Sequence, residues 1–313
     1  MNHSLADFME HRSKPLVNVV FPIGICVGIL VNSVAIFVWV FGPKSRSLCC
    51  ATYFAANAVA DFLTLSITGL WITICFTHFN TNCNYSSATC KIYTYLLYVC
   101  FQSTNWISTT VTVERALTIM FPLKFRSNDM RRHSKYAIPS IVILVLLGNI
   151  PALYAVKQLE GTVYCEYNNG FEVFDLFEVS FRSILPFIAI VTFNCCTIAT
   201  LCRQRRLSVS TNQERYVNVF TKITLLTGHS FVISNIMQVA IATIHIMGLS
   251  LMATLNRNEF LLVLDLTLMM CFFNCLTNPI ICVVVCKSMQ EDIKTFLQRL
   301  LRICRREHHD ITP

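Results

Sequence analysis

The chain has 313 residues, of which 54% are hydrophobic and 13% charged, against about a quarter charged in soluble domains. This balance, with a positive mean hydropathy of +0.56, excludes an ordinary soluble domain and points to a membrane. The formal net charge of +8 is an orientation signal and not a nucleic-acid footprint, because Lys and Arg flank apolar runs and form no continuous face.

Long uncharged runs separate Lys14 from Lys44, Asp61 from Lys91, Lys91 from Glu114, Lys135 from Lys157, Arg182 from Arg203, Lys222 from Arg257 and Asp265 from Lys287. Each accommodates roughly one span of about 20 residues. Seven membrane helices are predicted, the second interrupted only by Asp61. With the N-terminus outside, 19 of the 25 Lys and Arg lie inside with seven acids (net +12), and six lie outside with nine acids (net −3). The opposite orientation breaks the positive-inside rule. The start of the chain lacks the pattern of a cleavable signal, so the first span is expected to direct insertion.

Residues 1–15 read as an outer tail carrying the glycosylation acceptor pattern Asn2-His3-Ser4. The first span, about 16–41, carries Asn32 and two glycines, Gly24 and Gly28, at a spacing that lets helices pack closely. Gly42 to Arg46 form a tight basic inner loop. The second span, about 49–78, contains Asn57 and Asp61. A carboxylate in mid-membrane is costly and marks a functional position unless it is a neutral structural group. An outer loop at 79–90 holds a second acceptor, Asn84-Tyr85-Ser86.

The third span starts at Cys90 and ends in Glu114-Arg115, an acid and a base after some twenty uncharged residues. Arginine stays charged and needs a partner where helices close around it. Glu114 is the expected partner, and ordinary snorkelling of Arg115 to the interface is the alternative. The fourth span is expected at about 136–156, followed by an outer loop 157–178 with Cys165 and Glu160, Glu166, Glu172, Asp175 and Glu178. The fifth, about 179–202, contains Arg182 and Pro186; the sixth covers about 217–249. The seventh, about 260–286, contains Asn278-Pro279. Prolines in mid-span remove backbone hydrogen bonds and kink or weaken the helix. Residues 16–286 thus form the membrane domain. Residues 287–313 form an amphipathic helix and tail, with Met289, Ile293, Phe296, Leu297, Leu300 and Cys304 at helical spacing and bases on the flanks. Membrane lipids are its expected partner, and Cys304 is an expected lipidation site.

Most of the 16 cysteines lie inside spans as small apolar residues. Cys83, Cys90 and Cys165 sit at outer, oxidising positions. A Cys90–Cys165 bridge is the favoured pairing, with Cys83 as the rival. The chain shows no nucleophile–base or metal-ligand cluster, so an enzyme is not expected. A transporter reading wants paired ionisable residues in several spans or an inverted repeat, and Asp61 is nearly alone.

In order and spacing, Asn32, Asn57 to Asp61, Cys90, Glu114-Arg115, Cys165, Pro186, Asn278-Pro279 and the terminal amphipathic helix resemble a rhodopsin-like (class A) G-protein-coupled receptor over about residues 16–305. The resemblance implies an all-α membrane fold: a seven-helix bundle with a short eighth helix on the inner leaflet of the plasma membrane. It implies a Cys90–Cys165 disulfide and a heterotrimeric G-protein contacting Arg115. It also implies a sodium ion as an allosteric modulator near Asp61, with Asn32, Thr104, Asn274, Asn278 and Pro279 in its polar network. The chain departs from the family at several points. Glu114-Arg115-Ala116 replaces Asp-Arg-Tyr, the fourth span lacks its Trp, and Asn235 and Met237 replace the Trp and Pro of the sixth. Cys282 and Asn194 stand where tyrosines are usual. An amine receptor would resemble the family with Asp at Leu97, and an opsin with a Lys in the seventh span; neither is present. The expected pocket lies among spans three, five, six and seven, lined by Leu97, Tyr98, Phe101, Gln102, Arg182, Asn235, Gln238, His245 and Asp265. The acidic outer face steers cations and favours a short peptide such as a neuropeptide as the extracellular ligand, with a lipid or other small molecule as the alternative.

Overall fold

The structure, a computed structural model, describes residues 19–48, 50–77, 87–121, 124, 127–158, 165–167, 172–206, 214–246 and 257–310. The predicted acceptors Asn2 and Asn84, and Cys83, lie outside these residues. Helices α1 (Phe21–Phe41), α2 (Ala51–Thr77), α3 (Ser87–Met120) and α4 (Ser127–Gly148) come first. A single turn, Ala152–Ala155, leads into a two-stranded antiparallel hairpin, β1 (Val156–Gln158) and β2 (Cys165–Tyr167). Helix α5 follows in three contiguous pieces: Glu172–Val179, a π-helical turn Ser180–Ile184, and Leu185–Arg206. Then come α6 (Glu214–Ile246), α7 (Arg257–Val285) and α8 (Lys287–Asp310).

Among the described residues, six helical segments are long and apolar enough to cross a membrane: Phe21–Phe41, Ala51–Leu70, Arg132–Ala155, Leu176–Arg203, Thr221–Ile241 and Leu266–Val285. They lie in α1, α2, α4 together with the turn after it, α5, α6 and α7. The helix missing from this group is α3, and its position explains why. It touches α2, α4, α5, α6 and β1, so protein surrounds it where its neighbours face lipid. Its polar residues Thr94, Gln102, Ser103, Thr104, Asn105, Thr109, Thr112 and Arg115 are all buried. The hydroxyls of Thr109, Thr110, Thr112 and Thr118 bond the carbonyl four residues back, at 2.7–2.9 Å. Such back-bonding satisfies a hydroxyl where no water is at hand.

The outer helices show the reverse pattern. In α1 the buried residues Phe21, Ile25, Gly28, Asn32, Ala35 and Trp39 recur every three or four positions and form one inward stripe. Ile23, Leu30 and Phe41 point outward and are more than half exposed, as suits side chains facing lipid. Of the two predicted packing glycines only Gly28 has that role. A Cβ there would stand 2.6 Å from Leu65 Cδ1 and 3.1 Å from Leu276 Cδ2, whereas one at Gly24 would meet nothing within 4 Å.

The helices depart from the predicted spans at two places. Helix α4 starts at Ser127 and ends at Gly148, earlier than 136–156, because Asn149 to Pro151 turn the chain. Helix α5 starts at Glu172, so Glu172, Asp175 and Glu178 are helical and not loop residues.

Beyond the C-terminal end of α1, α8 is tied to the turn that follows. Asp292 accepts bonds from Ser45 N–H at 2.8 Å, from Ser45 Oγ at 2.8 Å and from Lys44 N–H at 3.4 Å. Lys44 Nζ reaches Glu291 at 2.5 Å. That hydrogen bond, with the Glu291 charge, holds the exposed lysine above its ordinary range. Gly42 is needed at this join, since a Cβ there would come within 2.5 Å of Asp292 Oδ2. Asp292→Ala is expected to cost about 2 kcal/mol, the loss typical of charge-assisted bonds to a buried acceptor. Thermal melting of the detergent-solubilised protein should show it, and an unchanged melting point would remove Asp292 as the anchor.

Candidate functional site

Three polar clusters run through the bundle at successive depths, and α3 contributes to each. Toward its C-terminal end, Arg115 donates from Nε to Thr221 Oγ1 of α6 at 3.0 Å and from Nη2 at 2.5 Å. Glu114 is not its partner. It accepts from Tyr53 of α2 at 2.7 Å, and His133 of α4 stands 4.0 Å away. Adjacent helical residues point about 100° apart, so an acid beside an arginine in sequence faces a different neighbour. Arg115 thereby ties α3 to α6, and Glu114 ties α3 to α2.

At mid-depth Asp61 is fully buried. It accepts from Asn57 at 2.9 Å, Thr104 at 3.2 Å and Asn278 at 3.3 Å. Ser108 donates to Asn57 at 3.0 Å and extends the cluster. Asn32 donates to the carbonyls of Gly28 and Cys275 at 2.9 and 3.0 Å, so it joins α1 to α7 and does not reach Asp61 by these bonds. Asn274 is buried, and its Oδ1 has no hydrogen-bond partner among the described residues. Pro279 lines a small cavity with Asp61, Asn57, Asn278 and Cys282. Asp61 and Thr104 set a carboxylate and a hydroxyl, both hard oxygen donors, side by side.

Toward the N-terminal half of α3, a third cluster joins α3, the turn after α4 and α5. Gln102 and Asn149 exchange side-chain bonds at 2.8 and 3.3 Å, and Gln102 also donates to Glu178 at 3.3 Å. Glu178 pairs with Arg182 one turn on, at 3.0 Å, and the Arg182 guanidinium lies 5.1 Å from the centre of the Tyr98 ring. Of the predicted pocket residues, Tyr98, Gln102 and Arg182 thus come together. Gln238 joins them through α5, accepting from Ser183 at 2.9 Å. Leu97 and Phe101 do not join. They pack in an apolar cluster with Phe21, Leu65 and Phe272, because they lie on the face of α3 turned to α7. Asn235 bonds the Phe231 carbonyl of its own helix. The side chains of His245 and Asp265 lie outside the described residues. The sequence reading missed Asn149 and Ser183; the i, i+4 spacing of Glu178 and Arg182 was the signal for a helical pair there.

Cys90 is buried at the head of α3 and disulfide-bonded. The strand that opens with Cys165 packs against the same helix.

The model of the 7 transmembrane receptor (rhodopsin family) matches residues 31–281. The chain belongs to this family. Among its relatives is human lysophosphatidic acid receptor 4, 26% identical over 64% of the chain and 56% of that receptor. The chain therefore spans a little over half the length of that relative. Human lysophosphatidic acid receptor 6 is 23% identical over 94% of the chain and 87% of its own length. A rat purinoceptor is 24% identical over 64% of the chain and 53% of its own length. The protein is thus a multi-pass membrane protein of the rhodopsin-like receptor family.

Proposed function

We propose that the chain binds an extracellular lipid or nucleotide-like small molecule and activates a heterotrimeric G-protein at the plasma membrane. The observation that carries the coupling half is Arg115, buried at the inner end of α3 and held by Thr221 of α6. Moving α6 outward breaks that bond and presents the guanidinium to a partner from the cytosol. In this reading the N-terminus is outside and Cys165 is the partner of Cys90, which supports the hairpin over the outer end of the bundle. Asp61, Thr104 and Asn274 would hold a sodium ion that favours the closed state. The terminal helix α8 would lie on the inner leaflet, with Cys304 acylated.

The ligand assignment differs from the expected short peptide. The relatives named above are called after lysophosphatidic acid and purines. The outer cluster places Arg182 against Tyr98, where a guanidinium can take an anionic headgroup or phosphate and an aromatic ring can cover an apolar or base moiety. The acids that suggested a cationic peptide include Glu178, which is buried against Arg182 and so is not available to steer ligands.

The test is a panel of lysophospholipids and nucleotides applied to cells expressing the chain, read by calcium and cyclic-nucleotide signals. The expected result is a response to a member of the panel that Arg182→Ala weakens. A response confined to peptides would overturn the ligand assignment. On the inner side, Thr221→Ala should raise ligand-independent nucleotide exchange about threefold, as for one lost hydrogen bond; unchanged exchange at equal surface display would remove Thr221 as the latch.

A further inference from the structure

The cluster around Arg182 carries one charge of each sign. Of the described residues its bonds join, Arg182 is the one cation and Glu178 the one acid. Glu178 Oε1 lies 3.0 Å from Arg182 Nε, and the acid is the deeper partner, at 1% side-chain exposure against 20% for the base. An incoming ligand therefore meets the guanidinium first. The two amides beside the pair are committed. Gln102 Nε2 donates to Asn149 Oδ1 and to Glu178 Oε1, both at 3.3 Å. Asn149 Nδ2 donates to Gln102 Oε1 at 2.8 Å and to the Val145 carbonyl at 2.7 Å. An amide nitrogen carries two protons, so neither side chain has another to turn toward the carboxylate when the guanidinium moves. The same guanidinium lies over the Tyr98 ring, 5.1 Å from its centre.

An anion that binds the guanidinium draws it away from Glu178. A buried carboxylate deprived of its cation is strongly disfavoured, so a headgroup that is only anionic exchanges one satisfied pair for another and strands the acid. The place the guanidinium leaves is bounded by a carboxylate and an aromatic ring, two surfaces that together suit an ammonium group. We infer that Glu178 is a specificity-determining residue: with Tyr98 it takes the cationic end of a zwitterionic ligand whose anionic end takes Arg182. This deepens the reading of the cluster as the ligand pocket and rests on that reading. The ligand class is a phosphodiester or carboxylate with an ammonium group close by and a net charge near zero. One pair becomes two, and no charge is left buried alone. A phosphate monoester carries about −1.5 to −2 charges near neutral pH. It would meet a single cation, already matched, and bring nothing for Glu178. The same zwitterion occurs on an ethanolamine lysophospholipid and on the free headgroup, glycerophosphoethanolamine.

The test uses cells expressing the full chain, read by calcium and cyclic-nucleotide signals, with variants compared at equal surface display. The probes are oleoyl lysophosphatidylethanolamine, oleoyl lysophosphatidic acid and glycerophosphoethanolamine. The ethanolamine lipid is expected to act at a concentration about tenfold or more below that of the monoester, the range of one hydrogen bond to a charged group. Glu178→Gln keeps the shape and removes the charge. It should weaken the ethanolamine lipid and strengthen the monoester, each about tenfold, whereas a purely structural role for Glu178 moves both the same way. A response to glycerophosphoethanolamine as strong as that to the lipid assigns the zwitterion to a free solute, and a response to the lipid alone assigns it to the membrane; both support the inference. A monoester that acts at the lower concentration in the parent, or a Glu178→Gln variant that shifts both lipids alike, would overturn it. If Glu178→Gln does not reach the surface, Tyr98→Leu decides: it should weaken the ethanolamine lipid more than the monoester, and equal losses overturn the inference. A nucleoside triphosphate, which has no ammonium group, separates the two readings. If the triphosphate or the monoester evokes a response that Arg182→Ala weakens and the ethanolamine compounds evoke none, the zwitterion alone fails. If no probe evokes a response that depends on Arg182, the reading of the cluster as the ligand pocket fails with it.

Discussion

Replacing Arg115 with alanine is expected to reduce receptor-stimulated nucleotide exchange by roughly 30-fold or more while leaving surface display intact. The magnitude follows from what a buried arginine contributes at the centre of a protein interface, about 2 kcal/mol or more, each 1.4 kcal/mol being tenfold. Surface display should survive because the bonds to Thr221 end on a neutral hydroxyl, and Glu114 keeps its bond from Tyr53. A combined Arg115→Ala and Thr221→Ala variant should be as inactive as Arg115→Ala alone, because the latch matters only when there is a guanidinium to hold. Exchange that persists in Arg115→Ala, measured with purified G-protein and membranes, would place the coupling contact elsewhere.

The largest expected effect on stability lies at the other end of the bundle. Arg182→Ala takes the cation away from Glu178, whose side chain is 1% exposed while that of Arg182 is 20% exposed. Separating a buried pair by deleting one partner typically costs about 3–5 kcal/mol, mostly for the charge left behind. The neutral bond from Gln102, at 3.3 Å, is a poor substitute. Arg182→Ala should therefore lower the thermal stability of the solubilised receptor markedly, and adding Glu178→Gln should restore most of it. Heating a fluorescently tagged receptor and measuring the monodisperse fraction gives the comparison. If the double variant is no better than Arg182→Ala alone, the pair is not what stabilises the outer cluster. Loss of ligand response and loss of stability both follow from Arg182→Ala, so binding is best compared in the Glu178→Gln background.

The positions of the helices are largely legible in the sequence because a bilayer imposes two strong rules: few charges within a span and positive charge inside. Even α3, too polar to pass as a span by hydropathy, is delimited by Lys91 and Glu114. Where charged residues lie inside a helix, the same rule misleads. Glu172, Asp175 and Glu178 look like loop, although Val173, Phe174, Leu176 and Phe177 repeat at helical spacing among them. The hairpin of β1 and β2 has strands of three residues, too short for an alternation to show.

Within the site, side-chain partners are less legible than positions. Asp61, Thr104 and Asn278 are grouped in advance by the resemblance to the receptor family, which implies one polar network for them. Arg115 cannot be paired with Thr221, which lies 106 residues away; that contact depends on how α3 is rotated against α6. The same rotation sets Leu97 and Phe101 in an apolar cluster with Phe21, Leu65 and Phe272. The bonds from Asn105 and Trp106 to the α5 carbonyls are hidden for another reason. Pro186 announces a missing donor, but the sequence does not say which helix supplies the replacement.

The burial of α3 has a consequence for how the protein is made. A segment rich in Thr, Ser, Asn and Gln gains little by leaving water for hydrocarbon, so α3 on its own partitions weakly into lipid as it emerges from the ribosome. Its polar side chains bond its own carbonyls and residues of α2, the turn after α4, α5 and α6, and of these neighbours all but α2 are synthesised later. The central span is therefore the one whose membrane residence depends on the arrival of its neighbours, and assembly of the bundle is coupled to insertion at that helix.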